Sequence, residues 1–232
     1  MIGKTICIVQ ARIGSTRLPN KVLLDLGGAS MLERVVSRVC MSSYYFDDLI
    51  VATGNNNEND IIEDICEDNG WRCMRGNEVD VLDRFYYVAN GANAAHIIRI
   101  CADSPFIDPT IINKAASIYT LSNVDYVSTM TLKESYPRGQ HVEVFSKDAL
   151  NKAWFCAREL YDREHVTPYI WNNPDIFKLK AVVNEEDYSK YSLDVDTMED
   201  YRKARGLYRQ LGNCAFHWKD VIYLMERIQR AR

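Results

Sequence analysis

An α/β fold with a mostly parallel sheet covered by helices is predicted by three features of the chain. Short apolar runs rich in branched residues recur along it, a polar turn follows each run, and segments with apolar residues at helical spacing come next. After residue 128 the pattern changes, and a small β appendage is expected there.

The elements follow in order. Residues 6–9 are a buried strand that the Gly, Pro and Asn of GSTRLPN turn into a loop. Ser30 with Glu33 makes a capping-box pair, and Met31, Leu32, Val35, Val36 and Val39 repeat at helical spacing behind it. The unit recurs with a strand over 49–52, the turn GNNNEND and a helix lined by Ile61, Ile62 and Ile65. A short strand over 72–74 precedes GNEVD and a helix through Val81, Leu82, Phe85 and Val88. Residues 95–100 form a further strand, carrying His96 and ending in ADSP.

In the second half, YPRGQHVEVF alternates polar and apolar residues and reads as a half-exposed antiparallel strand. A helix is expected over 147–158, a turn or helix at DREHVTP and a strand at LKAVV. LDVDT reads as a strand ending in acidic residues, followed by a helix capped by Asp196 or Thr197, and a last helix follows Cys214. With no internal repeat, linker or low-complexity stretch, the 232 residues are expected to form one domain, 1–232, with 128–170 as its appendage.

Composition narrows the function classes. Hydrophobic residues at 47% and charged residues at 26% suit a packed interior rather than disorder. A net charge of -4 with dispersed basic residues excludes a non-specific nucleic-acid stripe. The opening apolar run is cut short by Arg12, too early for a signal-peptide core or a membrane span. Seven scattered cysteines without C-x-x-C spacing read as reduced core residues. A cytoplasmic protein with neither nucleic-acid nor membrane partner is expected.

In a parallel sheet of this kind ligands gather at the carboxyl ends of the strands. QARIGSTRLPNK, after the first strand, brings Arg12, Gly14, Ser15, Thr16, Arg17 and Lys21 into one loop. Cations, hydroxyls and a glycine together suit a polyphosphate, although a solvated basic loop has the same composition and the Walker A spacing is absent. In ADSP, Asp103 is placed to coordinate Mg2+ on a triphosphate, or simply to form a turn. In LDVDT, Asp194 and Asp196 project to one face of a strand; with Asp103 they could bind a metal pair, and Asp196 could also be a helix cap. Arg138, His141, Glu143, Arg163, Glu164 and His165 supply further polar groups in the appendage, and either His141 or His165 could act as a base.

These segments carry a family likeness. QARIGSTRLPNKVLLDLGGASMLERV resembles the opening of the CMP-sugar-acid synthetases, the cytidylyltransferases of Kdo and acylneuraminate. It is closest to the branch named for the spore coat polysaccharide biosynthesis protein SpsF, where Gln stands before the Ala-Arg pair instead of Pro. GNEVDVLDRF, ADSPFIDP, YPRGQHVEVF, DREHVTPYI and LDVDTMED agree with that branch in order, so the resemblance spans nearly the whole chain.

The resemblance implies a three-layer α/β/α nucleotidyltransferase fold, Rossmann-like and related to GT-A glycosyltransferases. It implies transfer of CMP from CTP to a sugar acid, or to a sugar or polyol phosphate, with Mg2+ as cofactor and pyrophosphate released. By it, Ala11, Arg12, Gly14, Ser15, Arg17 and Lys21 meet the triphosphate, Asp80 and Arg84 line the base and ribose pocket, and Asp103 and Asp196 hold the metal. Arg12, Lys21 and Asp103 are then the catalytic residues, with Arg138, His141, Glu143, Arg163 and His165 on the acceptor side. A homodimer is implied as well. The competing readings are a GT-A-like glycosyltransferase using a nucleotide-sugar donor and a non-catalytic nucleotide-binding partner of a polysaccharide assembly complex.

Overall fold

The computed structural model describes residues 3–42, 46–212 and 215–231, so Cys214 lies outside the described residues. Its centre is a sheet of seven strands in the order β3-β2-β1-β4-β6-β5-β7. β1 (Thr5–Gln10) lies between β2 (Asp48–Gly54) and β4 (His96–Cys101), parallel to both, and β3 (Arg72–Gly76) continues the parallel half. β6 (Glu143–Ser146) runs antiparallel between β4 and β5 (Tyr126–Ser128), and β7 (Leu179–Ala181) pairs in parallel with β5.

Strand alternation divides the interior into two cores, one on each sheet face. Cys7 and Val9 of β1 face one core with α1 (Met31–Cys40), α2 (Asp60–Asp68), α4 (Pro109–Leu121), α8 (Met198–Leu211) and α9 (Trp218–Arg230). Ile6 and Ile8 face the other, built with α3 (Val81–Gly91), α5 (Lys147–Cys156) and α7 (Pro168–Trp171). α6 (Leu160–His165) buries no side chain. The result is the expected three-layer arrangement. Ser30 and Glu33 do form a reciprocal capping box at the start of α1.

Two local expectations are corrected. The strand within YPRGQHVEVF is antiparallel but not half-exposed: Val144 enters one core, Phe145 the other, and Glu143 is buried as well. A buried Glu mimics the polar beat of an exposed face, and a buried arginine opposite it makes that burial tolerable. The segment YSLDVDT is extended but makes only an isolated bridge, Ser192 with Arg138. Its N–H groups go to two different segments, Leu193 to the Arg138 carbonyl at 2.8 Å and Val195 to the Asp103 carbonyl at 2.9 Å, so no ladder forms. Gly139 permits this approach: it has φ +85°, and a Cβ there would lie 2.6 Å from the Asp194 nitrogen.

Candidate active site

The loop after β1 is pinned from within. The Ala11 N–H still bonds the Ala52 carbonyl at 3.1 Å, and the Ile13 N–H donates to Asn59 Oδ1 at 3.0 Å. Asn59 in turn donates to Glu78 at 2.7 Å, tying this loop to the one after β3. Leu18 and Val22 are buried, and Asn20 turns the chain in the left-handed region at φ 57°. Gly14, Thr16 and Arg17 are left exposed with Ser15 partly so.

Lys21 joins three separate loops. Its Nζ donates to Asp103 Oδ2 at 2.9 Å, to Asp196 Oδ1 at 2.9 Å and to the Val195 carbonyl at 3.2 Å. Burial pulls the Lys21 ammonium down, but the two carboxylates outweigh it and its pKa lies above the ordinary lysine value. Burial likewise works against ionised Asp196, yet Lys21, Arg17 and Arg138 leave its pKa below the usual carboxylate value. Arg17 Nη2 reaches Asp196 Oδ2 at 2.9 Å, and Arg138 lies 2.6 Å from Asp194 and 3.7 Å from Asp196. Thr197, not Asp196, caps α8, in a capping box with Asp200, which leaves the Asp196 carboxylate free for this cluster.

Beside the cluster opens a cavity of about 510 Å³ whose lining includes Asp196, Arg138, His141, Glu143, His165 and Trp171. Its floor is a buried ion pair that the sequence reading omitted: Arg99 Nη1 lies 2.5 Å from Glu143 Oε2. Gln10 Oε1 accepts from Arg99 Nε at 3.2 Å and Nη2 at 3.0 Å, and Glu143 Oε1 accepts from Tyr126 at 2.5 Å and Thr167 at 2.6 Å. Burial alone would raise the Glu143 pKa; Arg99, with His141 and the two hydroxyls, brings it to about 2. Burial keeps His141 below the ordinary imidazole value despite Glu143 nearby. Arg99 stands inside the apolar run expected as a strand, and a cation there demands a buried partner; that was the available signal.

Other expected site residues divide differently. Asp80 and Arg163, placed by sequence on two different ligands, are partners of each other: Arg163 Nε and Nη2 donate to Asp80 Oδ2 at 2.8 and 2.5 Å. Asp80 also caps α3. Arg84 is fully buried, with Nε and Nη2 bonded to the Asn77 and Glu78 carbonyls, while Nη1 has no hydrogen-bond partner among the described residues. Arg12 pairs loosely with Glu164 at 3.7 Å, and His165 packs against Tyr161 with ring centroids 4.5 Å apart.

The sequence profile of the family described as Cytidylyltransferase matches residues 6–226. The chain belongs to the cytidylyltransferase family. As a member, it is a CTP-using nucleotidyltransferase. This cytidylyltransferase is 42% identical over 202 residues to the uncharacterized protein MJ1063 of Methanocaldococcus jannaschii, covering 86% of this chain and 81% of that one. It is 36% identical over 211 residues to the spore coat polysaccharide biosynthesis protein SpsF of Bacillus subtilis, covering 88% and 86%. A solved structure of a cytidylyltransferase from Leptospira borgpetersenii superposes with TM-score 0.92 at 30% identity, covering 98% of this chain and 95% of that one. Among the described residues, no helix of this cytidylyltransferase is long and apolar enough to cross a membrane.

Proposed function

We propose that this cytidylyltransferase transfers CMP from CTP to a hydroxyl of a sugar acid, or of a sugar or polyol phosphate, releasing pyrophosphate in surface polysaccharide or glycoconjugate biosynthesis. The observation that carries the reading is the convergence of Lys21, Asp103 and Asp196, the last of which also lines the neighbouring cavity. The likeness to SpsF supports the polysaccharide setting.

Arg12, Ser15, Arg17 and Lys21, with the backbone at Ala11 and Gly14, take the triphosphate, where cations and N–H groups offset the charge that develops on leaving pyrophosphate. Arg84, fully buried and bonded to the Asn77 and Glu78 carbonyls, serves the base and ribose side by holding the turn after β3. Asp80 serves the site indirectly, by fixing Arg163 and with it α6. Arg138, His141, Glu143 and His165 face the acceptor. The acceptor hydroxyl attacks the α-phosphorus in line, the bond from that phosphorus to the α,β-bridging oxygen breaks with its electron pair leaving on pyrophosphate, and the hydroxyl proton passes to solvent water.

Asp103 and Asp196 present hard carboxylate oxygens within reach of one cation, Lys21 Nζ, and that donor set fits Mg2+. When bound, Mg2+ neutralises phosphate charge and helps orient the attacking hydroxyl. Residues 128–170 serve acceptor binding and pairing of two copies, a role supported by exposed Phe155 and Leu160. The six described cysteines are free thiols, which supports a reducing cytoplasmic setting.

The test is pyrophosphate release by purified protein with CTP, Mg2+ and a panel of sugar acids and sugar or polyol phosphates. Release with one acceptor class supports the reading. Silence across the panel, or release of a nucleoside diphosphate from a nucleotide-sugar, contradicts it.

A further inference from the structure

Every oxygen of Asp196 is already claimed by a cation from the loop after β1. Lys21 Nζ takes Oδ1 at 2.9 Å and Arg17 Nη2 takes Oδ2 at 2.9 Å. The same Nζ takes Asp103 Oδ2 at 2.9 Å, and the Val195 carbonyl at 3.2 Å uses its third proton. A divalent cation shared by the two carboxylates would have to lie at about 2.1 Å from each. It therefore competes for the position of the Lys21 ammonium, and two like charges in one small, partly buried space repel strongly.

The competitors can leave. Arg17 is 65% exposed at its side chain, and a lysine ammonium moves on a flexible four-carbon stem. Their natural destination is a polyanion, because both belong to the loop proposed to take the triphosphate. Asp103 and Asp196 also gain no further acidic or imidazole help: among the described residues, no group of three His, Cys, Asp or Glu is placed to hold a metal. A cation there must draw its remaining ligands from water and phosphate.

We infer that Lys21, assisted by Arg17, occupies the Asp103–Asp196 cation site until a nucleoside triphosphate draws both side chains away, so that nucleotide and divalent cation bind with positive coupling. The inference rests on the proposed roles of that loop and of the two carboxylates. By linkage the coupling is reciprocal, the cation strengthening nucleotide binding by the same factor. The charge of Lys21 thus has two addresses, and its move from carboxylates to phosphate makes room for the metal.

Mn2+ binding, read from the loss of the free-ion electron paramagnetic resonance signal, tests this without turnover. The titration uses wild type, Lys21→Met, Arg17→Ala and Asp103→Asn, each with and without an α,β-methylene analogue of CTP, and the analogue alone as a blank. Wild type should bind Mn2+ roughly tenfold or more tightly when the analogue is present. Without nucleotide, Lys21→Met should bind Mn2+ roughly tenfold more tightly than wild type, and Arg17→Ala should shift the same way by a smaller factor. Arg17 is exposed, so its variant keeps the test alive if Lys21→Met does not fold. Equal Mn2+ affinity in wild type and both basic-residue variants, with binding lost in Asp103→Asn, overturns the gate while the metal site stands. No Mn2+ binding by any form, even with the analogue, overturns the metal reading and the gate together.

Discussion

Arg99 of β4 and Glu143 of β6 are direct register partners on antiparallel strands, and their side chains meet at 2.5 Å in the floor of the cavity. The pair ties the end of β1, through Gln10, to Thr167 beyond α6. It therefore joins the end of β1 to the segment after α6 through buried polar contacts, linking the proposed triphosphate side of the site to the proposed acceptor side. In such a network each partner is held by the others, and removing one strands a charge.

Glu143→Gln should accordingly destabilise the protein by about 3–5 kcal/mol, because Arg99 keeps its charge without a carboxylate. Urea unfolding at neutral pH measures it, and a loss below about 1 kcal/mol would mean that Gln10 alone satisfies Arg99. The pH dependence has a definite sign. Glu143 is depressed from 4.5 to about 2 in the fold, so its contribution is complete above 4.5 and is lost as pH falls toward 2. The stability gap between wild type and Glu143→Gln should shrink across that window.

Asp103→Asn should reduce turnover by at least about a hundredfold, the effect of losing several kcal/mol of metal-assisted stabilisation. Its side chain is partly exposed, and its backbone carbonyl, not its carboxylate, accepts from the Val195 N–H, so the fold should persist. Steady-state kinetics with a matched circular dichroism spectrum separates the two effects. A variant with wild-type kcat would remove Asp103 from the chemistry.

Thr197→Ala removes the cap of α8 and should cost about 1 kcal/mol, or roughly 2–4 °C in Tm for a chain of this size. Thermal unfolding reads this directly. Asp200 also accepts from the Asp196 N–H at 3.2 Å, so KM for CTP should rise alongside the loss of stability.

Leu160→Glu probes the proposed pairing surface. Leu160 is 82% exposed, so the change should leave the unfolding free energy of a monomer within the small range of surface substitutions, about 0.5 kcal/mol. Sedimentation equilibrium should show wild type as a dimer and the variant shifted to monomer. A wild type that sediments as a monomer would dismiss the surface.

The parallel half of the fold was legible because each strand there is a short apolar run followed at once by a turn, as in β1 and GSTRLPN. The acidic and basic loops were legible for a related reason, since strand ends in such sheets collect ligands: the Lys21 loop follows β1 and Asp103 follows β4, whereas Asp196 reaches them from a segment that joins no ladder. What sequence could not supply was pairing across the sheet. Glu143 alternates with Val142 and Val144 like a solvent-facing residue, and only the neighbouring Arg99 explains its burial. Asp80 and Arg163 show the same gap: 83 positions apart, they were assigned to separate ligands although each satisfies the other.

Selection of CTP by the proposed site is tested, without knowledge of the acceptor, by calorimetric titration of CTP, UTP, ATP and GTP in the presence of Mg2+. Saturable binding of CTP should be at least roughly tenfold tighter than that of the other three, a gap of about 1.4 kcal/mol. Equal affinities, or a preference for UTP, would contradict it.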